Sequence, residues 1–147
     1  MAVCLGEGGI PKRPVDEGVV GELGLEGDRH RYVLHGGPDR ALCLLSVEAT
    51  RELERDEVPA TAPGGYGENL LTEGLDLSEL RPGDLLDVGA EVRLQLSDVR
   101  EPCKVLQSID RRFPDLMLGR SGWMARVLAG GRVRPGDRIS LRALPGE

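Results

Sequence analysis

Leu85-Leu86-Asp87-Val88-Gly89-Ala90-Glu91-Val92-Arg93-Leu94-Gln95-Leu96-Ser97-Asp98-Val99 decides the fold class. Val92, Leu94 and Leu96 alternate with Arg93, Gln95 and Ser97, the period of a half-buried strand. The short apolar run Leu85 to Val88 precedes it, and Gly89-Ala90 leaves room only for a tight reversal. The stretch predicts two adjacent strands.

Working outward, Leu80-Arg81-Pro82-Gly83-Asp84-Leu85 is echoed by Val133-Arg134-Pro135-Gly136-Asp137-Arg138. Each puts proline and glycine at the central positions of a type II turn, just before an apolar run. We read this as recurring turn chemistry, not a duplicated domain. Val3 to Leu5, Arg40 to Leu45, Glu68 to Leu71, Trp123 to Leu128 and Arg138 to Leu144 complete about seven short strands. Arg40 to Leu45 is expected to be buried on both faces because its run is unbroken by polar residues. Ser46 is placed to cap a surface helix over Val47 to Arg55, and Asp76 to Leu80 suggests one helical turn. Gly6 to Gly18 and Gly21 to Asp28 read as loops and turns. Twenty-one glycines and ten prolines in 147 residues favour short elements with tight turns. The fold class is mainly β, a barrel or sandwich with a few short helices.

Length and composition point to one domain over residues 1–147, with aliphatic residues building the core, since aromatics are only 3%. The net charge of −6 gives no basic face for nucleic acid. No apolar run approaches the ~18 residues of a membrane span, and no leader is visible, so the expected compartment is the cytoplasm. Three dispersed cysteines without a C-x-x-C suggest neither a zinc ribbon nor a thioredoxin-type pair.

Two places carry the chemistry. His35-Gly36-Gly37-Pro38-Asp39-Arg40 joins ionisable groups to glycines that let backbone approach a ligand. Arg100-Glu101-Pro102-Cys103-Lys104 follows a strand, and Val105, Leu106 and Ile109 recur at helical spacing up to Arg112. Cys103 is then expected in the first turn of a helix beside cations, which favours its thiolate. Cys4 and Cys43 sit inside apolar runs and read as core. Glu68 and Asn69 follow a glycine-rich turn, and Asn69 is the sole asparagine. Arg120, in Gly119-Arg120-Ser121-Gly122, is positioned to cradle an anion.

In order and content, this series from about Val3 to Leu144 resembles a MOSC domain, named for the C-terminal part of molybdenum cofactor sulfurases. The resemblance carries Gly24-Leu25-Glu26-Gly27-Asp28, the His35 to Arg40 loop, Pro63 to Leu70, the Arg100 to Cys103 turn, Gly119 to Leu128 and both Pro-Gly-Asp turns. It implies a barrel-like β-fold and a single functional cysteine, Cys103, that forms a persulfide or ligates molybdenum. It also implies a pocket lined by His35, Gly36, Gly37, Asp39, Arg40, Glu68, Asn69, Arg100 and Arg120. The implied cofactor is the molybdenum cofactor, molybdopterin, and the implied partners are a cysteine desulfurase or a reductase. Pyridoxal phosphate is expected on a partner desulfurase and not in this chain. The chain looks most like short stand-alone bacterial members, similar to proteins linked to resistance against N-hydroxylated bases. The alternative is a non-catalytic module that binds a pterin, purine or other anion and acts with a partner reductase. The sequence leaves open whether the isolated chain is an enzyme.

Overall fold

The computed structural model describes residues 2–5, 12–27, 41–100, 107–113, 120 and 122–142. Among them an eight-stranded sheet runs β11-β7-β8-β9-β5-β6-β1-β2 and curls into a half-barrel. These strands are β1 (Ala2–Leu5), β2 (Arg13–Val15), β5 (Leu42–Ser46), β6 (Leu70–Thr72), β7 (Leu85–Val88), β8 (Val92–Val99), β9 (Trp123–Ala129) and β11 (Ile139–Arg142). Seven of the eight are those read from the sequence. A second, three-stranded sheet joins β3 (Gly18–Gly21), β4 (Gly24–Leu25) and β10 (Gly131–Val133). No helix among the described residues is long and apolar enough to cross a membrane.

The expected strand pair forms as an antiparallel hairpin, with Val88 opposite Val92 and Leu86 opposite Leu94. Val92, Leu94 and Leu96 are buried, whereas Arg93, Gln95 and Ser97 are only partly so. Breaks in register between β8 and β9, at Arg93/Leu94 and Leu96/Asp98, add the local twist that helps a sheet curl.

Both echoed turns close alike. Gly83 and Gly136 take φ of +93° and +89°. The Asp84 amide donates to the Arg81 carbonyl, and the Arg81 amide donates back to the Asp84 carboxylate at 2.8 Å. Asp137 and Arg134 repeat the pair, the carboxylate bond being 2.9 Å.

β5 is buried at every residue. It pairs antiparallel with β9 and parallel with β6, and the helix α1 (Val47–Arg55) makes the crossover between β5 and β6. Ser46 Oγ accepts from the Ala49 amide at 3.1 Å, the cap expected from sequence. One face of the sheet packs the main core around Leu42, Leu44, Leu70, Leu94 and Leu96. The other meets α1 through Leu45, Ala49, Leu53, Val58, Tyr66 and Phe113.

The differences from the sequence reading have local causes. β2 contains Pro14, which reads as loop in the sequence, yet proline suits an edge strand, and β2 lies at an edge of the sheet. β3 and β10 carry glycines because their neighbours press close: a Cβ at Gly18 would stand 2.7 Å from Leu25 Cδ2. Of the helix expected up to Arg112, Gln107 and Ser108 are in 3-10 form and residues 109–113 are not helical. Asp110 accepts from the Arg112 amide and pairs with its guanidinium at 2.9 Å, competing with helical bonding.

Candidate functional site

A cleft of about 610 Å³ opens at the C-terminal ends of the parallel strands β5 and β6, beside the N-terminus of α1. Ser46, Glu48 and Glu52 line one wall, Gly74 to Ser78 a second, and Val99, Arg120, Gly122 and Trp123 the rest. Ligands commonly bind at strand ends of this kind, where helix-terminal amides are available. The second wall is built from pieces far apart in sequence. The Trp123 indole donates to the Leu77 carbonyl at 2.8 Å, tying β9 to the short 3-10 turn Leu77–Glu79. The Gly74 amide donates to Glu48 Oε1 at 2.7 Å, tying the loop to α1. Gly122 has φ of +90°, and a Cβ there would meet the Leu44 carbonyl oxygen at 1.9 Å. Only glycine lets the backbone of this wall lie against β5.

Arg120 stands on the cleft with its side chain about one fifth exposed. Its Nη2 donates to Asp56 Oδ2 at 2.7 Å, and its Nη1 lies 3.8 Å from Glu52 Oε2. The guanidinium is thus braced against the C-terminal end of α1.

Glu68, Asn69 and Arg100 gather in a neighbouring corner. Asn69 is fully buried and works as a backbone surrogate between strands. Its Oδ1 accepts from the Cys43 amide at 2.9 Å, and its Nδ2 donates to the Cys4 carbonyl at 3.3 Å. Its own amide donates to the Cys43 carbonyl, and its carbonyl accepts from the Cys4 amide, each at 2.8 Å. Cys4 and Cys43 are the buried core residues expected. The buried carboxylate of Glu68 accepts from the Gly64 and Tyr66 amides. Burial raises its pKa above the usual range, while those amides and the Arg100 charge act the other way. Arg100 Nη2 donates to the Tyr66 carbonyl, and the Arg100 amide donates to the Gly122 carbonyl at 3.0 Å. Tyr66 is buried edge-to-face on Phe113, with centroids 5.8 Å apart. Burial raises its phenol pKa, with Glu54 and Glu68 reinforcing.

The structure therefore brings Glu68, Asn69 and Arg100 together and puts Arg120 on the cleft. His35, Gly36, Gly37, Asp39, Arg40 and Cys103 lie outside the described residues. The sequence reading did not pick out Ser46, Glu48, Leu77, Val99 or Trp123 as cleft residues. Ser46 and Glu48 were legible only as helix-capping residues. The docking of Leu77 on Trp123 spans 46 positions and leaves no local pattern.

Comparison with known proteins agrees with this architecture. The MOSC domain family model matches residues 31–140. Protein YiiM of Escherichia coli (strain K12) is 40% identical over 142 residues, covering 90% of this chain and 62% of YiiM. A protein named Reductase from Gibberella moniliformis is 33% identical over 132 residues, covering 83% of this chain and 23% of that protein. The chain thus spans less than two thirds of either relative. The crystal structure of YiiM from Geobacillus stearothermophilus superposes with a TM-score of 0.80 at 26% identity, covering 97% of this chain and 73% of that one. The strand order, the cleft at the ends of β5 and β6, and the match over residues 31–140 converge on one assignment: this chain belongs to the MOSC domain family.

Proposed function

We propose that the chain acts as one MOSC domain that presents Cys103 as a reactive thiol beside this cleft, carrying sulfane sulfur or ligating molybdenum for a partner protein. The observation that supports it most is where β8 ends. Val99 lines the cleft, and the Arg100 amide is fastened to Gly122 on the same wall. Cys103 follows Arg100 by three residues, so covalent geometry holds their Cα atoms within roughly 11 Å. MOSC domains are in general associated with the molybdenum cofactor, and a soft thiolate suits both sulfur and molybdenum.

In the sulfur reading the Cys103 thiolate attacks the outer sulfur of a persulfide on a cysteine desulfurase. A new S–S bond forms at Cys103, the donor's S–S bond breaks, and the donor cysteine leaves as a thiolate. No external oxidant is required. Pyridoxal phosphate belongs to the donor enzyme. His35, Gly36, Gly37, Asp39 and Arg40 remain proposed ligand-contacting residues, Arg40 supplying charge and the glycines close backbone approach.

The described residues do not by themselves fit a phosphate-bearing pterin. Arg120 is already braced by Asp56 and Glu52, and Glu48, Glu52 and Asp76 put three carboxylates around the cleft. Among the described residues no cluster of His, Cys, Asp and Glu is arranged to hold a metal ion.

A second reading, a non-catalytic ligand-binding module working with a reductase, is favoured by the fungal relative named Reductase, of which this chain matches about a quarter. The two readings separate on paired variants. If thiol chemistry is the function, Cys103→Ser abolishes loading with sulfur and with molybdenum. If binding alone is the function, Cys103→Ser keeps wild-type affinity for a pterin or purine probe and Arg40→Ala loses it. Equal loading of wild type and Cys103→Ser overturns the thiol reading.

A further inference from the structure

We infer that Glu68 is a positioning residue: its buried carboxylate shapes the Pro63–Gly67 turn so that the Tyr66 carbonyl holds the Arg100 guanidinium at the exit of β8. This deepens the thiol reading and rests on it for its readout. Glu68 is 1% exposed, and its two carboxylate oxygens take different amides of the turn, Gly64 at 3.0 Å and Tyr66 at 3.2 Å. The turn is closed by the Gly67 amide on the Gly64 carbonyl at 2.9 Å, with both glycines at positive φ. It is also wedged in place, since a Cβ at Gly64 would stand 2.2 Å from the Lys12 carbonyl oxygen.

Closing a turn does not need a carboxylate; a buried serine or asparagine would do it without the desolvation cost. What a carboxylate adds is two strong acceptors on one rigid plane, which orient two amides at once. That fixes the backbone of Tyr66, whose carbonyl accepts from Arg100. Arg100 is then held at both ends, by its amide to Gly122 on the cleft wall and by its guanidinium to the turn. A cation set firmly three residues before a cysteine favours the thiolate, whereas a cation free to swing into water is screened. Besides Arg100 and Glu68, the charges acting on this corner through Tyr66 are Glu54, Asp110 and Arg120.

The test is alkylation of Cys103 by iodoacetamide, resolved from Cys4 and Cys43 by peptide mass spectrometry, at pH 7 and pH 9.5. A wild type that reacts at pH 7 no faster than a model cysteine peptide overturns the thiol reading and this inference together. A fast wild type sets up the test of Glu68 alone. Glu68→Gln is expected to slow the reaction at pH 7 about fivefold and to leave it unchanged at pH 9.5, where the thiolate forms unaided. Because the effect runs through Arg100, adding Glu68→Gln to Arg100→Met is expected to slow nothing further. An unchanged rate in Glu68→Gln at pH 7, equal slowing at both pH values, or an additive double variant overturns the inference. If Glu68→Gln does not fold, Gly67→Ala disturbs the same turn with the carboxylate kept. The same slowing is then expected, and a wild-type rate overturns the inference.

Discussion

Asn69 and Glu68 show how much one buried polar side chain can organise. Asn69 inserts an amide between β1 and β5 where the strand pairing alone would leave the Cys43 amide without its acceptor. Asn69→Ala strands buried backbone groups, and its expected cost is about 2–4 kcal/mol in urea unfolding. Asn69→Asp should cost at least as much, since it also buries a charge and removes the donor to Cys4. Glu68 carries a definite pH signature. Its folded-state pKa is raised by burial above the ordinary 4.5 of a glutamate. Its contribution to stability is therefore complete below about pH 4.5 and is lost as pH rises through the folded value. Glu68→Gln lacks that loss, so its stability relative to wild type should climb as pH rises above 4.5; a fall would contradict the burial assigned here. Asp110 has the opposite sign. Its hydrogen bonds to Arg112 lower its pKa to about 2, so the stability it lends is present above 3.8 and lost as pH falls through about 2. Sequence alone marked Glu68 and Asn69 as special, because they follow a glycine-rich turn. It did not show that Asn69 points into the sheet, because its partners lie 26 and 65 residues away.

At the scale of elements, the glycines divide into those that only turn the chain and those that also make room. Gly83 has φ of +93° with open space around its Cβ position, whereas Gly122 has φ of +90° with Leu44 oxygen 1.9 Å away. Gly83→Ala should cost about 1 kcal/mol, the conformational penalty alone. Gly122→Ala should cost several times more and disorder the cleft wall, because strain and backbone collision coincide. Thermal unfolding of the two variants side by side measures the difference, and equal shifts would contradict the packing described. Ser46→Ala removes the cap of α1 at an expected cost of about 1 kcal/mol, and Ser46→Asp should recover most of it. The elements that were legible in sequence announce themselves locally: the alternation of β8, the unbroken apolar run of β5, the serine cap and the paired Pro-Gly-Asp turns. β2, β3, β4 and β10 were not, since each is two to four residues long and its pairing partner, not its composition, makes it a strand.

Over the whole molecule, β5 is the pivot. It is buried on both faces, carries α1 at its C-terminal end, and contributes Ser46 to the cleft. The chain enters it at Ala41, immediately after Arg40, and the cleft forms at its other end. The β-class and the family could be read from sequence, but the cleft could not. It exists only because the sheet curls β8 and β9 against β5, and because Trp123 and Glu48 fasten the 74–78 loop over the strand ends. Cys4 and Cys43 are sealed in the sheet, and the proposed function sets Cys103 apart from them. Peptide-resolved mass spectrometry after incubation with a cysteine desulfurase and cysteine measures that distinction. One added sulfur is expected on the Cys103 peptide, none on those of Cys4 and Cys43, and none anywhere in Cys103→Ser. Sulfur spread equally over the three cysteines, or retained by Cys103→Ser, would contradict it.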